Sequence, residues 1–171
     1  MNSYDRESFF EFLDENQIQL VVKPHPYHEA DFGLGPLEDM PQCISTLTDS
    51  QLFEHGLDFY EVLSAADVLI TDYSSVFFDF LLLDRPIIFT PSDQAIYKET
   101  RGFLLEPFEF WAPGPKSIDQ ISLQQTIHAE LDEPQTYKEQ RQTIRNLVHH
   151  YQDDQSSARV ADLIAQQLSQ A

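Results

Sequence analysis

Residues 66–84 constrain the chain more than any other stretch. A short apolar run (Val68, Leu69, Ile70) is followed by a polar turn (Thr71, Asp72, Tyr73, Ser74, Ser75) and then by an apolar segment from Val76 to Leu83 that only Asp79 interrupts. A brief β-branched and leucine run is what a parallel sheet buries on both faces, and the segment after it predicts an interior helix. Both flanks are driven inward. The turn cannot follow, because the first N–H groups of a helix have no partners within it, and Ser74 and Ser75 stand where those groups emerge. A helix start at the carboxyl end of a strand is a natural seat for an anion. Asp79, four residues after Ser75, falls on the same helix face.

The rest of the chain alternates around this unit. Phe9, Phe10, Phe12 and Leu13 predict a helix over residues 5–15, and a strand follows over 18–23. Lys23, Pro24, His25 and Pro26 end that strand, since each proline lacks an N–H and biases its predecessor away from helix. Residues 27–40 read as loop or broken helix and 42–47 as a second strand. The spacing of Phe59, Val62, Leu63 and Ala66 predicts a helix over 58–66 that feeds the central strand. After a turn at Asp84 and Arg85, residues 86–90 read as the next parallel strand. Helices are expected over 93–99, 118–131, 134–150 and 156–170, with Pro134 suited to a first turn. Residues 102–117, with Ala112, Pro113, Gly114 and Pro115, read as irregular loop. Alternating helices and strands imply an α/β fold, a Rossmann-like doubly wound parallel sheet.

With 171 residues, 42% of them hydrophobic, residues 1–171 suffice for one well-buried domain and fall short of two. Cys43 is the single cysteine, which excludes an intrachain disulfide and a cysteine-based metal site. Over about residues 21–131 no His or carboxylate pair at ligand spacing suggests a metal, and no cofactor is expected. A formal charge of −19 argues against nucleic acid and against direct contact with anionic membrane. The opening residues carry no basic-then-apolar signal and no apolar run spans a bilayer, so a cytoplasmic location is expected. Against thirteen acidic side chains, residues 1–65 keep only Arg6 and Lys23 as cations, which singles out Lys23 as a candidate for an anionic ligand beside its plainer reading as a surface charge.

Taken together, five segments resemble the C-terminal, donor-binding domain of the CDP-glycerol glycerophosphotransferase family, the teichoic-acid polymerases and primases with a two-domain GT-B arrangement. These are Lys23-Pro24-His25-Pro26; the run from Ala66 to Asp79; Arg85 to Phe89; Tyr97 with Arg101, Gly102 and Phe103; and Ala112 to Pro115. The similarity covers about residues 21–131, with the helices of 134–170 beyond it.

The resemblance implies a single GT-B half that holds the CDP portion of CDP-glycerol, or of a related nucleotide diphosphate donor. In that reading Lys23, Pro24, His25, Ser74, Ser75, Asp79 and Arg101 are donor-binding residues. His25 is the catalytic candidate in this chain, spreading phosphate charge together with Lys23 and the serines. The reaction implied moves glycerol phosphate to a hydroxyl acceptor and releases CMP, with a general base that the family takes from its N-terminal domain. No segment here corresponds to that domain. The chain is therefore expected to be incomplete alone, either as a fragment of a longer transferase or as one subunit of a split one; in the second case a separate N-terminal-domain protein is its partner, and any place at the inner membrane face is reached through that partner. Two alternatives stay open: the donor domain of another GT-B transferase using a nucleotide sugar, and a degenerate, non-catalytic interaction module. Residue by residue, plainer roles also stand: N-capping for the serines, local pairing for Asp79, a structural histidine at His25, turn-holding for Asp72 and Tyr73, and pairing of Arg101 with Glu99 or Asp93.

Overall fold

The central strand and helix form where the apolar pattern puts them, in a computed structural model that describes residues 5–24 and 40–170. Element order is α1 (Arg6–Glu15), β1 (Leu20–Val22), β2 (Ile44–Thr46), α2 (Asp49–His55), α3 (Phe59–Ala65), β3 (Leu69–Thr71), α4 (Val76–Phe80) with a 3₁₀ turn (Leu81–Leu83), β4 (Ile87–Phe89), α5 (Gln94–Thr100), α6 (Phe108–Trp111), α7 (Gln120–Asp132), α8 (Lys138–Val148) and α9 (Ser156–Ser169). His25 and most of the loop expected over 27–40 lie outside the described residues.

Side-chain caps set four helix starts among the described residues. Asp5, Asp58 and Asp119 each turn a carboxylate onto an N–H of the following turn, opening α1, α3 and α7. α2 was not expected. Thr48 and Gln51 form a reciprocal capping box at its start, and Gly56 closes it in the left-handed region at φ 64°. α8 begins at Lys138 rather than Pro134, because residues 134–137 are spent on a turn. The four residues of α6 form within the stretch expected to be wholly irregular.

The fold is mixed α/β with small parallel sheets. Among the described residues the strands form two separate pairs, β1 with β2 (Leu20 opposite Ile44) and β3 with β4 (Leu69 opposite Ile87), rather than one doubly wound sheet. Each strand has three residues, so helices carry the contacts between layers. Gln120 at the start of α7 exchanges two hydrogen bonds with the backbone of Asp5, at 2.7 and 2.8 Å. One apolar cluster gathers Leu63, Phe77, Phe80, Leu81, Ile87, Phe89, Phe108 and Ile144, and a smaller one gathers Phe9, Leu13 and Ile44. No residue of α9 is buried, and Val160, Leu163, Ile164 and Leu168 stand exposed along it. Among the described residues no helix is long and apolar enough to cross a membrane.

A buried cation ties α8 to the β3–β4 unit, and a buried carboxyl group on α7 lies near it. Arg141 on α8 is fully buried and donates to the Asp84 carboxylate (3.3 Å), the Asp84 carbonyl (3.2 Å) and the Pro134 carbonyl (2.9 Å). Glu130 on α7 is 3% exposed, with one carboxylate oxygen that meets no donor among the described residues. Burial raises its pKa above the usual glutamate value, and the nearby Arg141 charge only partly opposes this. An acid whose pKa is raised on folding adds stability below its unfolded pKa and loses it as pH climbs through the folded value. Stability is therefore expected to decline across that window, and Glu130→Gln should flatten the decline in thermal melts taken from acid to neutral pH; an unchanged slope would refute the assignment.

Candidate functional site

The turn after β3 leaves two serine hydroxyls and two N–H groups without a partner among the described residues. Ser74 and Ser75 are both exposed. The Ser74 N–H donates to Asp72 Oδ1 at 3.0 Å, which fixes the turn. Ser75 occupies the N-cap position of α4 with a helical backbone (φ −64°, ψ −11°) and makes no side-chain cap. The first helical bonds run from Phe77 N–H to the Ser74 carbonyl (3.5 Å) and from Phe78 N–H to the Ser75 carbonyl (3.0 Å), a tight i to i+3 opening. The N–H groups of Ser75 and Val76, and both serine hydroxyls, donate to no other described residue. Two backbone donors and two hydroxyls at one junction suit an anion that accepts several hydrogen bonds. The helix behind them is shorter than the sequence suggests, five residues and a 3₁₀ turn, so the local donors outweigh any macrodipole.

The structure brings Asp79 to the same short helix, half-buried, where it accepts a hydrogen bond from the Tyr60 hydroxyl at 3.3 Å. That partner on α3 answers the cost of a carboxylate on an apolar helix, and the Asp79 charge in turn raises the Tyr60 pKa. Lys23 and Pro24 sit at the end of β1, in the other strand pair. Pro24 is buried, and the Lys23 ammonium pairs with Asp49 Oδ1 at 2.9 Å. Arg101 follows α5, is exposed, and makes no ion pair with another described residue, so neither Glu99 nor Asp93 takes it. His25 is outside the described residues.

Around the turn, aromatic rings link the strand ends. Tyr73 stacks on Tyr97 of α5 at 4.1 Å between centroids, and both meet Phe103; Phe103 in turn stacks on Phe108 at 5.2 Å. The Tyr73 hydroxyl donates to Asp93 Oδ1 at 2.9 Å, and burial followed by this acceptor holds the phenol protonated far above its ordinary pKa. A cleft of about 360 Å³ lies beside this cluster, lined by Gln94, Lys98, Phe103, Glu106, Phe108 and Glu109. A groove of about 910 Å³ runs along α7 and contains none of the candidate residues. Neither concavity includes Ser74 or Ser75, which stand on open surface. Sequence reasoning missed the Tyr60–Asp79 and Tyr73–Asp93 bonds, whose partners lie 19 and 20 residues apart with no local signal. It also missed the work of Arg85, whose guanidinium donates from one nitrogen to the Ser64 carbonyl (2.8 Å) and the Ala66 carbonyl (2.6 Å), closing the end of α3.

Comparison with known proteins fits this arrangement into one group. The chain is 39% identical over 160 residues to a teichoic acid ribitol-phosphate primase of Bacillus spizizenii, covering 90% of this chain and 36% of that one. It is 33% identical over 163 residues to a teichoic acid glycerol-phosphate transferase of Staphylococcus aureus, covering 95% and 39%. The chain thus spans well under half the length of these relatives. The structure of the wall teichoic acid polymerase TagF superposes with a TM-score of 0.64 at 24% identity, over 97% of this chain and 38% of that one, and shares its fold. A family model described as CDP-glycerol:poly(glycerophosphate) glycerophosphotransferase matches residues 1–166, and this chain belongs to that family.

Proposed function

We propose that this chain is the donor-binding half of a GT-B glycerophosphotransferase of teichoic-acid synthesis, and that the serine turn after β3 grips the diphosphate of CDP-glycerol. The observation that carries the reading is the cluster of uncommitted donors: two exposed hydroxyls and the N–H groups of Ser75 and Val76. Asp79, one oxygen of which is held by Tyr60, has its other oxygen for a ribose or cytidine donor. Arg101, Lys23 and His25 supply positive charge or N–H donors to the phosphate oxygens. Support also comes from relatives named for glycerol-phosphate and ribitol-phosphate transfer and from a TagF structure, TM-score 0.60 and 24% identical, soaked with CDPG.

In the reaction that follows, an acceptor hydroxyl attacks the phosphorus bearing the glycerol. The bond from that phosphorus to the CMP oxygen breaks, and the hydroxyl proton passes to a base outside residues 1–171. The charge that gathers on the leaving phosphate is what the serine turn and the cations disperse. A companion domain would wall off the open surface on which the serines stand. Without it, this half binds the donor and does not turn it over.

Calorimetric titration tests the reading with CDP-glycerol, CDP-ribitol, CDP, UDP and a UDP-sugar. The CDP compounds should bind, and the Ser74→Ala/Ser75→Ala variant should weaken them about tenfold or more, since hydrogen bonds to a charged group are worth about 1.5–3 kcal/mol each. A folded protein that binds no cytidine nucleotide, or that prefers the UDP-sugar, would sink it.

A further inference from the structure

We infer that Asp93 and Tyr73 form a latch that positions Arg101 for the proposed donor site, an assignment that rests on that site being real. The argument begins with what α5 lacks. None of its seven residues is buried, so no apolar face seats it on the core. Its hold on the molecule comes instead from the stacked ring of Tyr97, from Gln94 to Glu109 (3.2 Å) and from Lys98 to Glu106 (3.2 Å), the last two being exposed contacts of small worth.

Asp93 occupies the N-cap position of α5, where a carboxylate ordinarily accepts from the first turn of its own helix. It makes no such cap here. Its Oδ1 accepts the Tyr73 hydroxyl instead, so the side chain best placed to stabilise α5 locally is committed to the turn after β3. The Tyr73 ring then stacks on Tyr97, with 28° between the planes. One residue, Tyr73, therefore grips the N-cap of α5 through the hydroxyl and a site one turn further on through the ring.

Both ends of this linkage reach candidate ligand groups by the shortest covalent route. Tyr73 is the immediate neighbour of Ser74. The Tyr97 carbonyl accepts the N–H of Arg101 at 2.9 Å and that of Gly102 at 3.0 Å, so the backbone that carries Arg101 is registered on the residue Tyr73 stacks against. Arg101 is left exposed and without an acidic partner among the described residues, in a chain of net charge −19. The latch thus fixes the spacing between the serine turn and an unneutralised cation. Asp93 and Tyr73 are positioning residues in this account, and they touch no ligand.

A double-mutant cycle read by CDP calorimetry tests it on the intact chain. Arg101→Ala should weaken CDP about tenfold and Asp93→Ala several-fold, whereas in the Arg101→Ala background Asp93→Ala should add nothing. Asp93→Asn, which keeps an oxygen acceptor for the phenol, should restore affinity to near the unmodified value. Tyr73→Phe, which keeps the stack, should match Asp93→Ala. Full additivity of the Asp93 and Arg101 losses, or unchanged binding by Asp93→Ala, overturns the latch while leaving the donor site standing. Failure of the unmodified chain to bind CDP removes the donor site and the latch with it.

Discussion

Replacing Gly114 with alanine is expected to destabilise the protein by about 3 kcal/mol or more, at the upper end of what overpacking usually costs. The reason is contact between two backbones. A Cβ at this position would fall 2.0 Å from the carbonyl oxygen of Ile87 and 3.1 Å from its carbonyl carbon. Ile87 is the first residue of β4 and fully buried, so the strand cannot yield without disturbing its ladder to β3. The loop is pinned from its other side. The Lys116 ammonium donates to the carbonyls of Ala112 and Gly114, and the Phe89 N–H donates to the Pro115 carbonyl at 2.9 Å. Burial of that ammonium lowers the Lys116 pKa, although the residue as a whole is exposed. Urea unfolding followed by circular dichroism gives the result directly, and a midpoint equal to that of the unmodified chain would refute the packing account.

Arg141→Ala carries the second large effect, a loss of about 3–5 kcal/mol, from the cavity that a fully buried side chain of this size leaves and from the donors withdrawn from the Asp84 carboxylate and two carbonyls. Its guanidinium gathers a carboxylate and two carbonyls, and Gln142 adds a bond to the second oxygen of Asp84 at 2.8 Å. Asp84 adopts a left-handed backbone (φ 52°) between the 3₁₀ turn and β4, so releasing it loosens the crossover from α4 to the strand. Glu130 would also lose the one nearby charge that favours its ionised form. Arg141→Lys should recover only part of the loss, because a single ammonium does not span three acceptors. In thermal melts the alanine variant should fall by about 6–20 °C, using the usual conversion for a chain of this size. A shift of a degree or less would show that the buried network adds nothing.

Local signals were readable and long-range ones were not. The helices at α1, α3 and α7 follow from Asp5, Asp58 and Asp119 set before periodic apolar residues, a pattern complete within a few positions. α2 carried the same kind of signal in Thr48 and Gln51, yet its short length and single buried residue, Leu52, gave no periodicity to notice. The strands were placed to within two residues. Their division into two pairs depends on partners 18 to 24 positions away, which composition does not encode. At the site, exposure of Ser74 and Ser75 followed from their place between two buried elements. The Tyr60 and Asp93 partners of that region had to be seen in three dimensions.

Arg85 makes one further point. It stands just ahead of β4 and reaches the carbonyls just ahead of β3, and Arg141 meets Asp84 in the same neighbourhood. The cations that brace the β3–β4 unit thus crowd the pole where both strands begin, while the serines and the Tyr73–Asp93 bond occupy the pole where they finish. Substitutions around the serines can accordingly accumulate without unbolting the other pole, so the two ends of the unit are free to change independently.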